Sequence, residues 1–171
     1  MKMLSNLLSS NYYPMKNNIY LLLLLCIIVI SCKEKDKTTN EVTKFYEEKG
    51  ISFDKQLEYC IILPEVGCIG CIASGVGFFL NNKDFFLKTQ KKNFIVFTAV
   101  NSKKQLFRTL ELTSLADFNC YLDLENNYLV GGNNSIYPLV LHLKNGKIIK
   151  AEYQSPYSEN ILEQLEKDLT K

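Results

Sequence analysis

Two cysteines spaced by two residues, Cys68-Ile69-Gly70-Cys71, mark a point where a strand must give way to a helix within a few residues. Before them, Leu57-Glu58-Tyr59-Cys60-Ile61-Ile62-Leu63 is an apolar run of strand length, stopped by Pro64. After them, Ile72 to Leu80 is rich in small and apolar residues and reads as a helix. Gly75 and Gly77 weaken that reading, since a helical glycine costs up to about 1 kcal/mol against alanine. At a helix start this spacing puts one sulfur on the exposed first turn and the other behind it. Unpaired backbone N–H groups and the helix dipole there favour a thiolate.

The rest of the chain alternates in the same way. Val42, Phe45 and Tyr46 have helical spacing that ends near Gly50, and Asp84 to Gln90 continues or restarts the helix after the cysteines. Phe94 to Val100 is a second buried strand. Ser102 and Gln105 form a capping pattern ahead of Leu106, Phe107 and Leu110, and Asn119 to Asp123 is a short strand. Glu125 to Ser135 is a connecting loop rich in turn formers. Pro138 to Leu143 and Lys147 to Ala151 flank Asn145-Gly146, the strongest short hairpin signal. Ile161, Leu162, Leu165 and Leu169 line a last helix capped by Ser155 or Ser158. This order is that of an α/β domain with a mixed sheet.

Apolar content is unevenly spread. Ile19 to Ile30 is uncharged, follows Lys16, and ends at Ser31-Cys32 before the polar run Lys33 to Lys37. A membrane-spanning helix needs about 20 apolar residues and a signal-peptide core about 7–15, so residues 1–31 are expected to be an export signal. Residues 1–14 fit either an upstream start-codon artefact or a long n-region. Val29-Ile30-Ser31-Cys32 resembles the lipobox of bacterial lipoproteins, with Val29 where leucine is usual. That likeness implies an acylated Cys32 at the start of the mature chain and a membrane-anchored place in the cell envelope; the alternative is an uncleaved anchor helix. Residues 32–50 are expected to hold the lipidated cysteine and a tether, flexible from Lys33 to about Asn40, ahead of a domain over 51–171.

The full chain carries a formal charge of +2, and without residues 1–31, which hold Lys2 and Lys16 and no acid, it is neutral. That excludes a broad basic face for nucleic acid. One histidine excludes any site built from several. There is no phosphate loop and no nucleophile with a plausible His partner.

A buried strand running into Cys68-Ile69-Gly70-Cys71, a strand opened by Pro138 after Ser135-Ile136-Tyr137, the Asn145-Gly146 hairpin and a terminal amphipathic helix follow one another in order. In these features residues 50–171 resemble the thioredoxin-like superfamily, and within it the membrane-anchored TlpA-like branch. The resemblance implies a central mixed sheet flanked by helices, with an α-β insertion between Ser102 and Asp123 ahead of a strand opened by a cis proline, Pro138. It implies thiol–disulfide exchange with protein clients, Cys68 attacking and Cys71 resolving, and Tyr137 and Pro138 holding the client beside the sulfurs. No cofactor or metal is implied.

The sequence departs from that pattern. No tryptophan precedes the motif, Ile62 replaces the buried acid six residues before Cys68, and Glu65 is the nearby carboxylate, read as a solvated loop residue. Ile69-Gly70 matches neither the Gly-Pro of reductants nor the Pro-His of strong oxidants, so the direction of electron flow stays open. Two other readings stand beside exchange: a non-catalytic binding module whose cysteines are inert, and copper delivery through the cysteine pair and His142. The last is disfavoured, because His142 lies four residues along the strand from Pro138, about 13 Å at strand rise. Cys60 and Cys120 lack a paired spacing and read as small buried hydrophobes.

Overall fold

The computed structural model describes residues 36–67, 69–156 and 160–169. The export signal, Cys32 and Cys68 lie outside them. Helix α1 (Lys37–Glu48) precedes strand β1 (Tyr59–Pro64), helices α2 (Ile69–Asn81) and α3 (Lys83–Lys88), and strand β2 (Asn93–Thr98). Helix α4 (Lys103–Thr109), strands β3 (Cys120–Asp123), β4 (Leu139–Lys144) and β5 (Lys147–Tyr153), and helix α5 (Ile161–Leu169) complete the chain.

The sheet is mixed, in the order β3-β2-β1-β4-β5. Strand β2 runs parallel to both β1 and β3, while β4 is antiparallel to β1 and β5. Each face of the sheet carries its own core. Ile61, Leu63, Ile95, Phe97 and Val140 pack against Phe78 and Phe79 of α2, Phe86 of α3, Leu106 of α4 and its C-cap Leu110, and Ile161, Leu162 and Leu165 of α5. On the other face Cys60, Ile62, Leu139, Leu141 and Ala151 pack against Val42 and Tyr46 of α1. A central β1 buried on both sides explains its unbroken apolar run.

Local chemistry sets the element ends. Asn145 and Gly146 both adopt positive φ (54° and 76°), as a tight two-residue hairpin demands, and join β4 to β5. Ser102 caps α4 by accepting the Gln105 N–H at 3.3 Å. Strand β2 stops at Thr98, two residues before the expected Val100, because Ala99 turns to φ 55° and its N–H goes to Asn126 Oδ1 at 2.8 Å. Asn160 Oδ1 takes the Glu163 N–H at 3.3 Å, the capping role expected of Ser155 or Ser158.

Helix α1 departs most from expectation. It takes in Lys37 to Asn40, half of the stretch read as flexible tether. Asp36 caps it, accepting the Thr39 N–H at 2.7 Å and the Thr39 hydroxyl at 2.9 Å. Thr39 is fully buried, and its Oγ1 accepts the Ala151 N–H of β5 at 2.9 Å. A polar side chain thus stitches this helix to the sheet. Asp36→Ala is expected to lower unfolding free energy by about 1 kcal/mol, read as a shifted denaturant midpoint with unchanged slope. No loss would mean that α1 is held by its apolar face alone.

Candidate functional site

The C-terminal ends of the parallel strands β1 and β2 lie side by side, Pro64 pairing with Thr98. The Glu65 N–H extends that pairing to the Thr98 carbonyl at 2.9 Å. The chain then crosses Val66 and Gly67 and enters α2 at Ile69, so the cysteine motif sits at the helix start, as expected. Cys71 is buried, 8% exposed, whereas Ile69 between the two cysteines is 88% exposed. Cys71 is disulfide-bonded and does not titrate. Its partner is not among the described residues, where Cys60 and Cys120 are free.

The two segments that sequence reasoning singled out meet in space. Gly67 has φ 119°, and a Cβ placed there would lie 2.7 Å from Ile136 Cβ and 3.1 Å from the Ile136 carbonyl oxygen. The loop before the motif is therefore pressed onto the loop before β4. One turn beyond Cys71, a Cβ on Gly75 would lie 3.3 Å from Leu63 Cδ2 and 3.6 Å from Pro138 Cγ. Gly75 and Cys71 are four residues apart and share a helix face. Pro138 thus packs on the face of α2 that carries Cys71. The glycine that weakens the helix reading spares Leu63 Cδ2 a tight contact of 3.3 Å with a Cβ.

One expectation is corrected. The described residues contain no cis peptide bond, so Tyr137–Pro138 is trans. The trans form is the ordinary preference of an X–Pro bond, by about 0.5–1 kcal/mol. The proline ring reaches α2 without isomerising. Tyr137 is half-buried, and its N–H is held by the Asn134 carbonyl at 3.0 Å, so the segment is shaped by a turn.

Glu65 differs from the solvated loop residue expected. It is half-buried, and burial pushes its carboxyl above the usual range. Ile62, at the position of the missing acid, is buried in the α1-side core. Burial raises the Cys60 thiol well above its ordinary value and pushes Cys120 up to about 12, so neither is a ready thiolate.

His142 is far from the motif along the strands. It pairs with Tyr59 at the start of β1, and its Nε2 lies 2.9 Å from Glu152 Oε2. Burial lowers its pKa; Glu152 and Asp168 pull the other way, and Lys150 adds to the lowering. Between pH 6.5 and the lower folded value, the unfolded chain takes up a proton that the folded chain refuses. Stability is therefore lost as pH falls through that window. His142→Gln is expected to flatten the pH 5–7.5 stability profile; an unchanged slope would place the dependence on other groups.

Sequence reasoning missed the buried Asp123. Its carboxylate accepts the Thr98 hydroxyl at 2.8 Å and the N–H groups of Asn127 and Tyr128 at 2.9 and 2.8 Å. It orders the loop after β3 at the same end of the sheet as the motif. The only local sign is an acid ending an apolar strand before Asn126-Asn127.

The fold and site together define an α/β domain with a cysteine pair at the start of a central helix. Comparison with protein-family models, with curated proteins and with solved structures gives no match.

Proposed function

We propose that the chain is an envelope thiol–disulfide oxidoreductase of thioredoxin-like fold, TlpA-like in its α4–β3 insertion, working through Cys68 and Cys71. The observation that carries the reading is the packing of two distant segments at one sheet end: Gly67 on Ile136 and Gly75 beside Pro138. The five-stranded mixed order and the helix starting directly after a buried strand are compatible with it. A disulfide-bonded Cys71 is what the oxidised form of such a pair requires.

In the reduced form the Cys68 thiolate attacks one sulfur of a client disulfide and releases the other as a thiolate. The Cys71 thiolate then attacks Cys68 Sγ, releasing the second client thiolate. Two electrons pass to the client and the pair is left as a disulfide. The reverse sequence oxidises a client dithiol. Ile69, exposed between the sulfurs, offers an apolar contact to the client segment. The trans Tyr137–Pro138 bond turns the segment before β4 differently from the cis arrangement that the resemblance implies.

The test is the reduction potential of the Cys68–Cys71 pair together with reduction of insulin disulfides. An exchanging pair is expected above about −300 mV, and a structural disulfide below it. A potential below that value without insulin reduction would leave a binding module with an inert disulfide.

A further inference from the structure

We propose that the β4–β5 hairpin end of the domain rests against an anionic bilayer surface, so that the cysteine pair faces away from the membrane. This rests on the readings of Cys32 as the acylated residue and of Cys68/Cys71 as the site. Its first support is a length. Only four residue steps join Cys32 to Asp36, and a fully extended chain covers about 14 Å in that distance.

Asp36 is held at a definite place. Thr39, three residues on, is bonded to Ala151, which pairs with Leu141 and through it with Cys60, the second residue of β1. Helix α1 therefore starts at the β5 edge, level with the beginning of β1. Lys150 is near enough to help lower the Asp36 carboxyl. The cysteine helix starts beyond Pro64, at the opposite end of that strand. From Tyr59 to Pro64 is about 17 Å at strand rise, before the loop to the cysteines is added. With the cysteine end down, Asp36 would stand higher above the bilayer than its leash reaches. With the hairpin end or the β5 edge down, it does not.

Charge chooses between the remaining poses. Lys144 and Lys147 flank the hairpin turn, and Lys55 packs beside Gly146, its Cγ 3.7 Å from where a Cβ would sit. All three are exposed and make no ion pair among the described residues. The acids at this end are Asp36, whose carboxylate caps α1, Asp54, whose Oδ1 takes the Gln56 N–H, Glu58, which is paired with Lys92 at 2.7 Å, and Asp168, whose charge reaches Tyr59 and His142. Ile149, 52% exposed on the edge strand, adds an apolar contact. Each lysine near an anionic surface is worth about a five-fold change in surface affinity.

The chain has no tryptophan, so one introduced indole reports its own distance from lipid. Ile149→Trp and, at the cysteine end, Lys103→Trp are made in the full acylated chain. Each is placed in phosphatidylglycerol–phosphatidylethanolamine vesicles carrying a dansyl headgroup lipid. Strong energy transfer is expected from the Ile149→Trp chain and little from the Lys103→Trp chain. Adding Lys144→Glu with Lys147→Glu, or high salt, should reduce the Ile149→Trp signal. Equal or greater transfer from Lys103→Trp, or no response to charge reversal, overturns the proposal. Mass spectrometry of the N-terminal peptide separates the two failures. An unmodified Cys32 removes the anchor and the proposal with it, whereas an acylated Cys32 with the wrong transfer pattern rejects the orientation alone. Insulin reduction by the same chains reads the cysteine site independently.

Discussion

Cys71→Ser is expected to accumulate mixed disulfides between the chain and its clients, and Cys68→Ser to accumulate none. The asymmetry follows from position. Cys71 is buried on the inner side of α2's first turn, against the face that Pro138 covers, whereas the residue beside Cys68, Ile69, is almost fully exposed. On the proposed mechanism Cys68 takes the client sulfur and Cys71 resolves the mixed disulfide. Remove the inner thiol and the covalent intermediate has no exit except slow attack from solution. Both variants should lose turnover on insulin to background, so trapping is the measurement that tells them apart. Non-reducing electrophoresis after acid quenching reads it directly. Trapping by both variants or by neither would sink the assignment of roles, and full activity in Cys68→Ser would sink the exchange mechanism itself.

Much of this arrangement is legible in the residues because it is local. The apolar runs of β1 and β2, Asn145-Gly146 and the Ser102–Gln105 cap each encode their element within a few positions. What was not legible depends on contacts between distant segments. Helix α1 begins inside a polar run because Thr39, an unpromising core residue, bonds to Ala151 on a strand 112 positions away. Asp123 ends β3 with its carboxylate turned inward, and its partners are two backbone N–H groups and a threonine on the neighbouring strand. Gly75 reads as a defect in a helix, yet a Cβ there would press on Leu63 Cδ2 at 3.3 Å and come into contact with Pro138 Cγ at 3.6 Å. The state of the Tyr137–Pro138 bond is a small energetic preference that no flanking residue signals. The site's position at the end of β1 was readable, and the packing that completes it was not.

Gly67→Ala is the substitution expected to do most damage without touching a sulfur. Two effects act together at this position. Its φ of 119° lies where only glycine is comfortable, and a side chain held in a sparsely populated backbone region costs about 1–3 kcal/mol. The new Cβ would also fall 2.7 Å from Ile136 Cβ and 3.1 Å from the Ile136 carbonyl oxygen, so either the motif loop or the loop before β4 must move. Overpacking of that kind costs about 1–3 kcal/mol more. The sum is a large fraction of the stability of a small domain, typically about 5–15 kcal/mol. Relaxation by loop separation would keep the fold but pull Pro138's segment off α2, and exchange would fall while the midpoint dropped only a little. Ile136→Gly tests which contribution dominates. It removes the side chain that Gly67→Ala strikes, so the double variant should recover the packing share and leave the backbone share in place. A double variant as unstable as Gly67→Ala alone would mean that strain in the backbone accounts for the whole effect. Wild-type stability and exchange in Gly67→Ala would show that the two loops do not need each other, and the packing on which the site reading rests would carry no weight.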